Sequence, residues 1–551
     1  MARIGTNAAS GVDTKSGGFL ARERTIAKPG YNRWLLPPCA LAIHLCIGMA
    51  YGFSVFWLPL SRAIGVKEPL LCKTMTLWQA ITTTTCDWRL SDLTWTYSLF
   101  FVVLGAAAAI WGGWLERAGP RHAGVVAACC WAGGIAIGAI GVAHHQLWLL
   151  WLGTGLIGGI GLGLGYISPV STLIKWFPDK RGTATGMAIM GFGGGALIGS
   201  PLADILMKHF AGSTDVGVWQ TMLTLAAAYF VFMMGGALGY RVPPTDWKPA
   251  DWTAPAAQAQ ISSGNVHLRD AHKTPQFWLI WTVLLLNVSA SIGIIGVASP
   301  MVQEVFGGRL FNQAGVAFGN FDAAQKAAAA AVGAGFVGFI SLFNIGGRFF
   351  WASVSDRLGR KLTYAIMLAL GALLYGLAAP YSASAAALMV FALSFAVIVS
   401  MYGGGFATVP SYLADVFGTQ YVGAIHGRLL TAWSTAGILG PLIVTRMRDA
   451  AIAAGTSRAE IYPPIYLVLA ALLAAGFIAN LLIKPVNARF HMSASDLQAA
   501  RPVEASAAST NVTIGLGGFS LPVVVAWAAV GIPLAWGVSV TLSKAVALFA
   551  H

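Results

Sequence analysis

A single arginine interrupts a long apolar stretch of this sequence. Arg348 stands between the runs Phe-Asn-Ile-Gly-Gly and Phe-Phe-Trp. A charge buried in a membrane is costly, so such a residue is a functional candidate. A guanidinium matches a carboxylate through two parallel hydrogen bonds. We therefore expect Arg348 to bind a carboxylate anion; the alternative is an arginine paired within a helix bundle.

Two polar residues extend this hypothesis. Asn344 comes one turn before Arg348, on the same face of a helix, and its amide cannot carry a proton. Arg428 is a second cation in an apolar segment. It stands near the start of that segment, so its side chain could equally reach the membrane surface.

Four aromatic residues in apolar stretches could donate one hydrogen bond to a carboxylate while excluding water. They are Tyr51, Tyr166, Tyr402 and Trp433. The alternative for each is a packing or lipid-facing role.

The composition indicates which elements position these groups. Of 551 residues, 57% are apolar and 10% are charged, against roughly 25% charged in a soluble domain. Such a chain is neither a soluble enzyme nor disordered. The net charge of +14 comes from short basic clusters between apolar runs, which indicates membrane topology and not nucleic-acid binding. The sequence predicts an all-α membrane protein.

Thirteen apolar runs are long enough to cross a bilayer. Polar stretches arrange them as two six-helix halves and one C-terminal extra helix. The predicted segments are a cytoplasmic tail (1–34), an N-terminal half (35–240), a cytoplasmic linker (241–275), a C-terminal half (276–484), a second linker (485–518) and an accessory transmembrane helix (519–543). The predicted spans are 35–59, 93–115, 122–143, 147–174, 183–207, 218–240, 276–302, 327–352, 362–380, 384–413, 422–446, 463–484 and 519–543.

The distribution of lysine and arginine predicts the orientation. With the N-terminus in the cytoplasm, inner segments hold 21 of the 34 basic residues and outer segments hold 11. This bias favours a cytoplasmic N-terminus in a plasma (inner) membrane.

A loop motif recurs in the two halves at an offset of 240 residues. Each copy has an acid, an arginine, a glycine and a further base. Glycine suits the tight turn, and the acid could cap the next helix or pair with an arginine. The residues are Gly113, Glu116, Arg117, Gly119 and Arg121 in the first copy, and Asp356, Arg357, Gly359 and Arg360 in the second.

These loops resemble the loop signature of the major facilitator superfamily, and the resemblance covers residues 35–484. The first copy departs from that signature at Glu116 and Pro120, and the second lacks the leading glycine. A longer stretch, from Gly161 to Gly182, resembles the oxalate:formate antiporter family, which is related to the monocarboxylate transporters.

The resemblance implies a secondary transporter that exchanges small carboxylates by alternating access. It also implies that Arg348, in the eighth span, binds the carboxylate. The four aromatic candidates are selected by the same resemblance, because spans 1, 4, 10 and 11 line the cavity in that superfamily, and it favours Tyr51 and Tyr402 most. Proton-coupled relatives usually have an aspartate where Asn344 stands, so Asn344 favours anion exchange over proton symport. Trp433 replaces a lysine expected in the oxalate antiporters, which favours a monocarboxylate over oxalate. Proton-coupled symport and a transporter-like sensor remain alternatives.

The sequence lacks the spacing motifs of common metal sites. The sequence has no C-x-x-C or H-E-x-x-H spacing, so neither a metal nor a cofactor is expected. The expected partners are carboxylates and the lipid bilayer, and the expected state is a monomer.

Cys72 and Cys86 share one polar loop and are candidates for a disulfide. The thirteenth helix is expected to pack peripherally through Gly531, Ala535 and Gly537.

Overall fold

The structure is a computed structural model. It describes residues 18–28, 30–60, 76–88, 90–212, 215–244, 247–249, 262, 264–310, 320–381, 387–457, 460–500 and 520–546. Within these residues, thirteen apolar helices are long enough to cross a membrane, so the predicted all-α architecture is confirmed. They are α1 (Arg33–Phe53), α2 (Trp95–Ala118), α3 (Pro120–Ala143), α4 (Leu147–Trp176), α5 (Arg181–Phe210), α6 (Val218–Gly239), α7 (Pro275–Ile295), α8 (Phe336–Leu358), α9 (Arg360–Ala378), α10 (Met389–Phe417), α11 (Val422–Ala453), α12 (Tyr462–Leu481) and α13 (Leu521–Ser543).

Two helices differ in extent from the predicted spans. The predicted span 276–302 is broken, because α7 ends at Ile295 and a second helix, Ala298–Leu310, follows. The helix that contains α8 extends slightly beyond the predicted span 327–352 at both ends, from Ala323 to Leu358. Asp322 and Gln325 form a capping box there, each side chain accepting a hydrogen bond from the other residue's backbone amide. The cap explains why this helix starts in a polar stretch.

The first six helices and the next six pack in the same pattern. In the N-terminal half, α1 packs on α5, α2 on α4 and α3 on α6; in the C-terminal half, α7 packs on α11, α8 on α10 and α9 on α12. The halves meet where α5 packs on α8 and α2 packs on α11. The internal repeat of the sequence is therefore a repeat of structure.

Small residues allow the halves to approach closely. A methyl group added to Gly186 of α5 would lie 2.9 Å from the Ala352 side chain of α8. The matching Gly427 of α11 would meet the backbone of Ala108 in α2. Lipid provides no hydrophobic drive for helix association, so close packing of small residues must supply much of the attraction.

Helix α13 packs along the seam between the halves, against α1, α5 and α8. Leu534 lies over Gly194 of α5, and Thr541 lies over Gly338, upstream in the same helix as Arg348. The prediction of an extra, outer helix is confirmed, but its contact face was predicted only in part. Gly537 does contact Leu197, whereas Gly531 has no close neighbour and Ala535 is exposed. The inward face repeats in steps of three and four residues, through Val523, Trp527, Val530, Leu534, Gly537 and Thr541.

Candidate functional site

Arg348 is the centre of the candidate site. Its side chain is 1% exposed and lies where α5, α8 and α10 meet. Its Nε donates to Asn344 Oδ1 over 3.1 Å, and its Nη1 donates to the Ile189 carbonyl over 3.3 Å. Within the described part of the chain, Nη2 has no hydrogen-bond partner. The guanidinium is thus held by two contacts and retains hydrogen-bonding capacity for an anion.

Two glycines make room for this side chain. A methyl group on Gly193 of α5 would lie 3.0 Å from the Arg348 Nε, and one on Gly403 of α10 would lie 3.0 Å from its Cγ. A larger residue at either position would displace the arginine. Sequence reasoning did not single out these glycines for the site, although both stand in runs of three glycines.

Aromatic side chains from five helices surround the arginine. The Tyr51 and Tyr402 hydroxyls are 3.4 Å apart, and the Tyr166 and Trp433 rings are 5.5 Å apart. The Tyr51 and Tyr166 rings also pack on the Phe192 ring, whose centroid lies 6.0 Å from the guanidinium carbon. The four predicted aromatic residues therefore do converge with Arg348 and Asn344.

Two phenylalanines complete the enclosure, and sequence reasoning missed both. Phe406 lies 5.7 Å and Phe192 lies 6.0 Å from the Arg348 guanidinium carbon. Both rings also contact the Trp433 ring. Phe406 follows Tyr402 by one helical turn, so a search for aromatic residues on the same face could have found it. The rings hold the cation in low-dielectric surroundings, where its attraction for an anion is strengthened.

Further donors near the arginine are also without partners among the described residues. They are the Tyr166 hydroxyl and the Trp433 Nε1, both on side chains that are almost completely buried. Buried polar atoms are nearly always hydrogen-bonded. With Arg348 Nη2, this makes three buried donors in this region that have no partner among the described residues.

Arg428 does not join this cluster. Its Nη1 donates to the Leu268 carbonyl over 2.6 Å and contacts His272 Nδ1 at 3.0 Å. These residues precede α7, so Arg428 ties α11 to the segment that links the halves. We call the end of the bundle that holds this segment, residues 264–274, the linker end.

The first loop motif closes the halves against each other at the linker end. Glu116, at the end of α2, accepts a hydrogen bond from the Gly423 amide in the first turn of α11. The same carboxylate pairs with Lys175 of α4 and accepts from Ser171. Sequence reasoning expected a cap on the next helix or a pair with arginine. The structure instead gives a cap on a helix of the other half.

The second loop motif makes the reciprocal contact, from the C-terminal half to the N-terminal half. Asp356, at the end of α8, accepts from the Gly182 and Thr183 amides at 2.8 and 2.7 Å, in the first turn of α5. Arg360 binds Asp356 at 2.7 Å and also reaches Asp415 of α10. A carboxylate at a helix N-terminus is favoured by free amides and by the helix dipole. Each acid therefore joins the end of a helix in its own half to the first turn of a helix in the other half.

The remaining motif residues have separate roles. Gly119 and Gly359 have φ angles of +87° and +82°, a conformation that favours glycine. Arg121 donates to the Tyr240 carbonyl after α6. Arg117 and Arg357 are exposed, and Gly113 lies against Leu268. The predicted tight turns at Gly119 and Gly359 are therefore confirmed.

Two further features lie away from Arg348. A small cavity at the linker end is lined by Arg22, Glu116 and Lys175. This cavity lies outside the aromatic enclosure. We therefore place the candidate site at the buried Arg348 and its neighbouring donors, and not at the cavity. Cys86 is disulfide-bonded; its predicted partner, Cys72, lies outside the described residues.

Comparison with known proteins finds relatives of this chain. The profile of the Major Facilitator Superfamily matches residues 40–441. The oxalate:formate antiporter of Oxalobacter formigenes is 28% identical over 287 residues, which span 52% of this chain and 59% of that protein. The apicoplast pyruvate carrier 1 of Toxoplasma gondii is 25% identical over 393 residues, spanning 62% of this chain and 66% of the carrier.

The same fold occurs among solved structures. The fucose:proton symporter of E. coli superposes with a TM-score of 0.56 at 13% identity, covering 83% of this chain and all of the symporter. At that identity the likeness establishes the arrangement of helices, and it carries no information about the transported compound.

Proposed function

The chain belongs to the Major Facilitator Superfamily, and from that premise we propose that it transports small monocarboxylate anions by alternating access. It is a multi-pass membrane transporter and not an enzyme. The observation that carries the substrate class is the buried Arg348, whose Nη2 is unpartnered in the described structure. Around it, the Tyr166 hydroxyl and the Trp433 Nε1 are also free to donate.

Charge balance favours a monocarboxylate. Arg348 is the one cation that the described residues place within the enclosure, and one guanidinium neutralises one carboxylate. A dianion such as oxalate would leave a second charge poorly compensated in low-dielectric surroundings. Trp433 stands where a second cation would be needed, and it offers one neutral donor. The likeness to an oxalate:formate antiporter and to a pyruvate carrier supports a small carboxylate as the substrate, and the preference for a monocarboxylate rests on charge balance.

The mode that we propose is exchange of one carboxylate for another. Arg348 is almost fully buried, so an anion reaches it only when the halves separate at one end of the bundle. The Glu116 and Asp356 contacts would hold the linker end closed while the far end opens. We further propose that the linker end faces the cytoplasm of a plasma membrane and that one chain suffices as the transporting unit.

Counterflow tests the proposal directly. The purified full chain, in liposomes loaded with unlabelled formate, oxalate or pyruvate, is given the labelled form of each anion outside. We expect formate and pyruvate to accumulate transiently and oxalate to accumulate less. Folded protein that exchanges none of the three would overturn the proposal, and a preference for oxalate would overturn its monocarboxylate part.

A further inference from the structure

A buried histidine on α1 has a backbone carbonyl within hydrogen-bonding distance of each ring nitrogen. His44 is fully buried. Its Nδ1 lies 2.7 Å from the Ala188 carbonyl of α5, and its Nε2 lies 3.2 Å from the Tyr166 carbonyl of α4. Carbonyl oxygens only accept hydrogen bonds. A neutral imidazole has one N–H to donate, whereas a protonated one has two.

This histidine is physically linked to the carboxylate site. Arg348 donates to the carbonyl of Ile189, which directly follows the residue that holds His44. The Arg348 charge also acts on His44, and the Tyr166 ring packs on the imidazole at 5.3 Å. The arginine and the histidine are therefore held by consecutive peptide groups of one helix.

Burial and nearby charge together determine when His44 can hold a proton. The helices packed on α1 present few ionisable groups to the imidazole in the described structure: Tyr166 comes from α4, and α5 contributes carbonyls and the Phe192 ring. Beyond them, Arg348 of α8 and His426 of α11 are within electrostatic reach. With the site empty, burial opposes a charge on the imidazole, and the unneutralised arginine adds to that opposition. A carboxylate on Arg348 cancels the arginine's part and brings a negative charge nearby, while the two carbonyls accept both N–H groups of the protonated ring.

We propose that His44 binds a proton when a carboxylate occupies Arg348, so that the loaded carrier holds the anion and the proton together. This inference rests on the proposed function. Because the Asn344 amide does not titrate, α8 has no titratable group beside Arg348. His44 of α1 supplies one instead. Exchange of two carboxylates leaves His44 protonated in both directions and moves no net proton. Net transport of one carboxylate moves one proton with it.

Proton uptake on binding provides the test. Purified full-length protein in weakly buffered detergent solution near pH 7 receives pyruvate, whose own carboxyl is already ionised. We expect up to one proton to be taken up per pyruvate bound. Linkage also requires the pyruvate affinity to fall as pH rises, approaching about tenfold per pH unit.

His44→Gln should retain pyruvate counterflow, because Arg348 is intact, while losing both the proton uptake and the pH dependence of affinity. His426→Gln is the matched control. That imidazole is equally buried and packs on the same Tyr166 ring at 5.8 Å. Its two nitrogens contact no carbonyl in the described structure, so this variant should take up protons as the wild type does.

Several outcomes would overturn the inference. One is wild-type protein that binds pyruvate with no proton uptake and a pH-independent affinity, a result that needs no variant to fold. Another is His44→Gln protein that still takes up a proton with pyruvate. Failure of the proposed function looks different, since folded wild-type protein would then exchange no carboxylate at all.

Discussion

Replacement of Arg348 by lysine keeps the positive charge of the site and removes the planar arrangement of guanidinium donors. Arginine presents five N–H groups in a planar fork, and two of its nitrogens already hold Asn344 and the Ile189 carbonyl. Lysine places its three donors around a single nitrogen. It cannot keep both protein contacts and still offer a carboxylate two parallel hydrogen bonds.

The size of the effect follows from the hydrogen bond that lysine cannot make to the carboxylate. A hydrogen bond to a charged group contributes about 1.5–3 kcal/mol. The absence of one of the two bonds should therefore weaken binding about 10- to 150-fold. The fold should survive, because the lysine still occupies the space between Gly193 and Gly403.

Binding of labelled formate and pyruvate to purified protein measures this decrease in affinity, and thermal unfolding checks the fold. Arg428→Lys provides a matched control, because its guanidinium contacts Leu268 and His272 at the linker end. That variant should bind with wild-type affinity. Wild-type affinity in Arg348→Lys would refute the assignment of the site, as would an equal decrease in both variants.

Three further changes test other parts of the structure. Trp433→Lys adds a second cation to the enclosure and should raise affinity for oxalate relative to formate about tenfold, or about 1.4 kcal/mol; an unchanged ratio in competition binding would contradict the charge argument. Asp356→Asn removes the charge that caps α5 and should cost about 1–2 kcal/mol of stability in thermal unfolding. Asp204→Asn, which breaks an exposed ion pair with Lys208, should cost little, and equal destabilisation of the two variants would speak against the closing role of Asp356. Deletion of residues 520–551 removes α13 from the seam and should lower the melting temperature while leaving the preference among carboxylates unchanged; a stable deletion variant with a new preference would contradict that role.

The sequence by itself determined the membrane architecture. Hydropathy is a local property, so thirteen spans could be read from composition along the chain, with most ends within a few residues. The repeat at 240 residues predicted two matching halves. The loop glycines were also predictable, since the φ angles of Gly119 and Gly359 are set by their own turns.

The identity of the central cation could also be predicted, because an arginine in an apolar span is rare and costly. Its aromatic neighbours were predicted in part. Tyr51, Tyr166, Tyr402 and Trp433 were found with the help of the family resemblance. Phe192 and Phe406 were not, because an apolar ring in an apolar helix carries no signal of which way it faces.

Only the tertiary structure decided the contacts between distant segments. Asp356 and Gly182 are 174 residues apart, and Glu116 and Gly423 are 307 residues apart. No local pattern reveals that these acids cap helices of the opposite half. The rotation of each helix about its axis is fixed by packing against its neighbours. That rotation turns Arg428 toward the linker end, sets the inward face of α13, and brings two backbone carbonyls to the ring of His44.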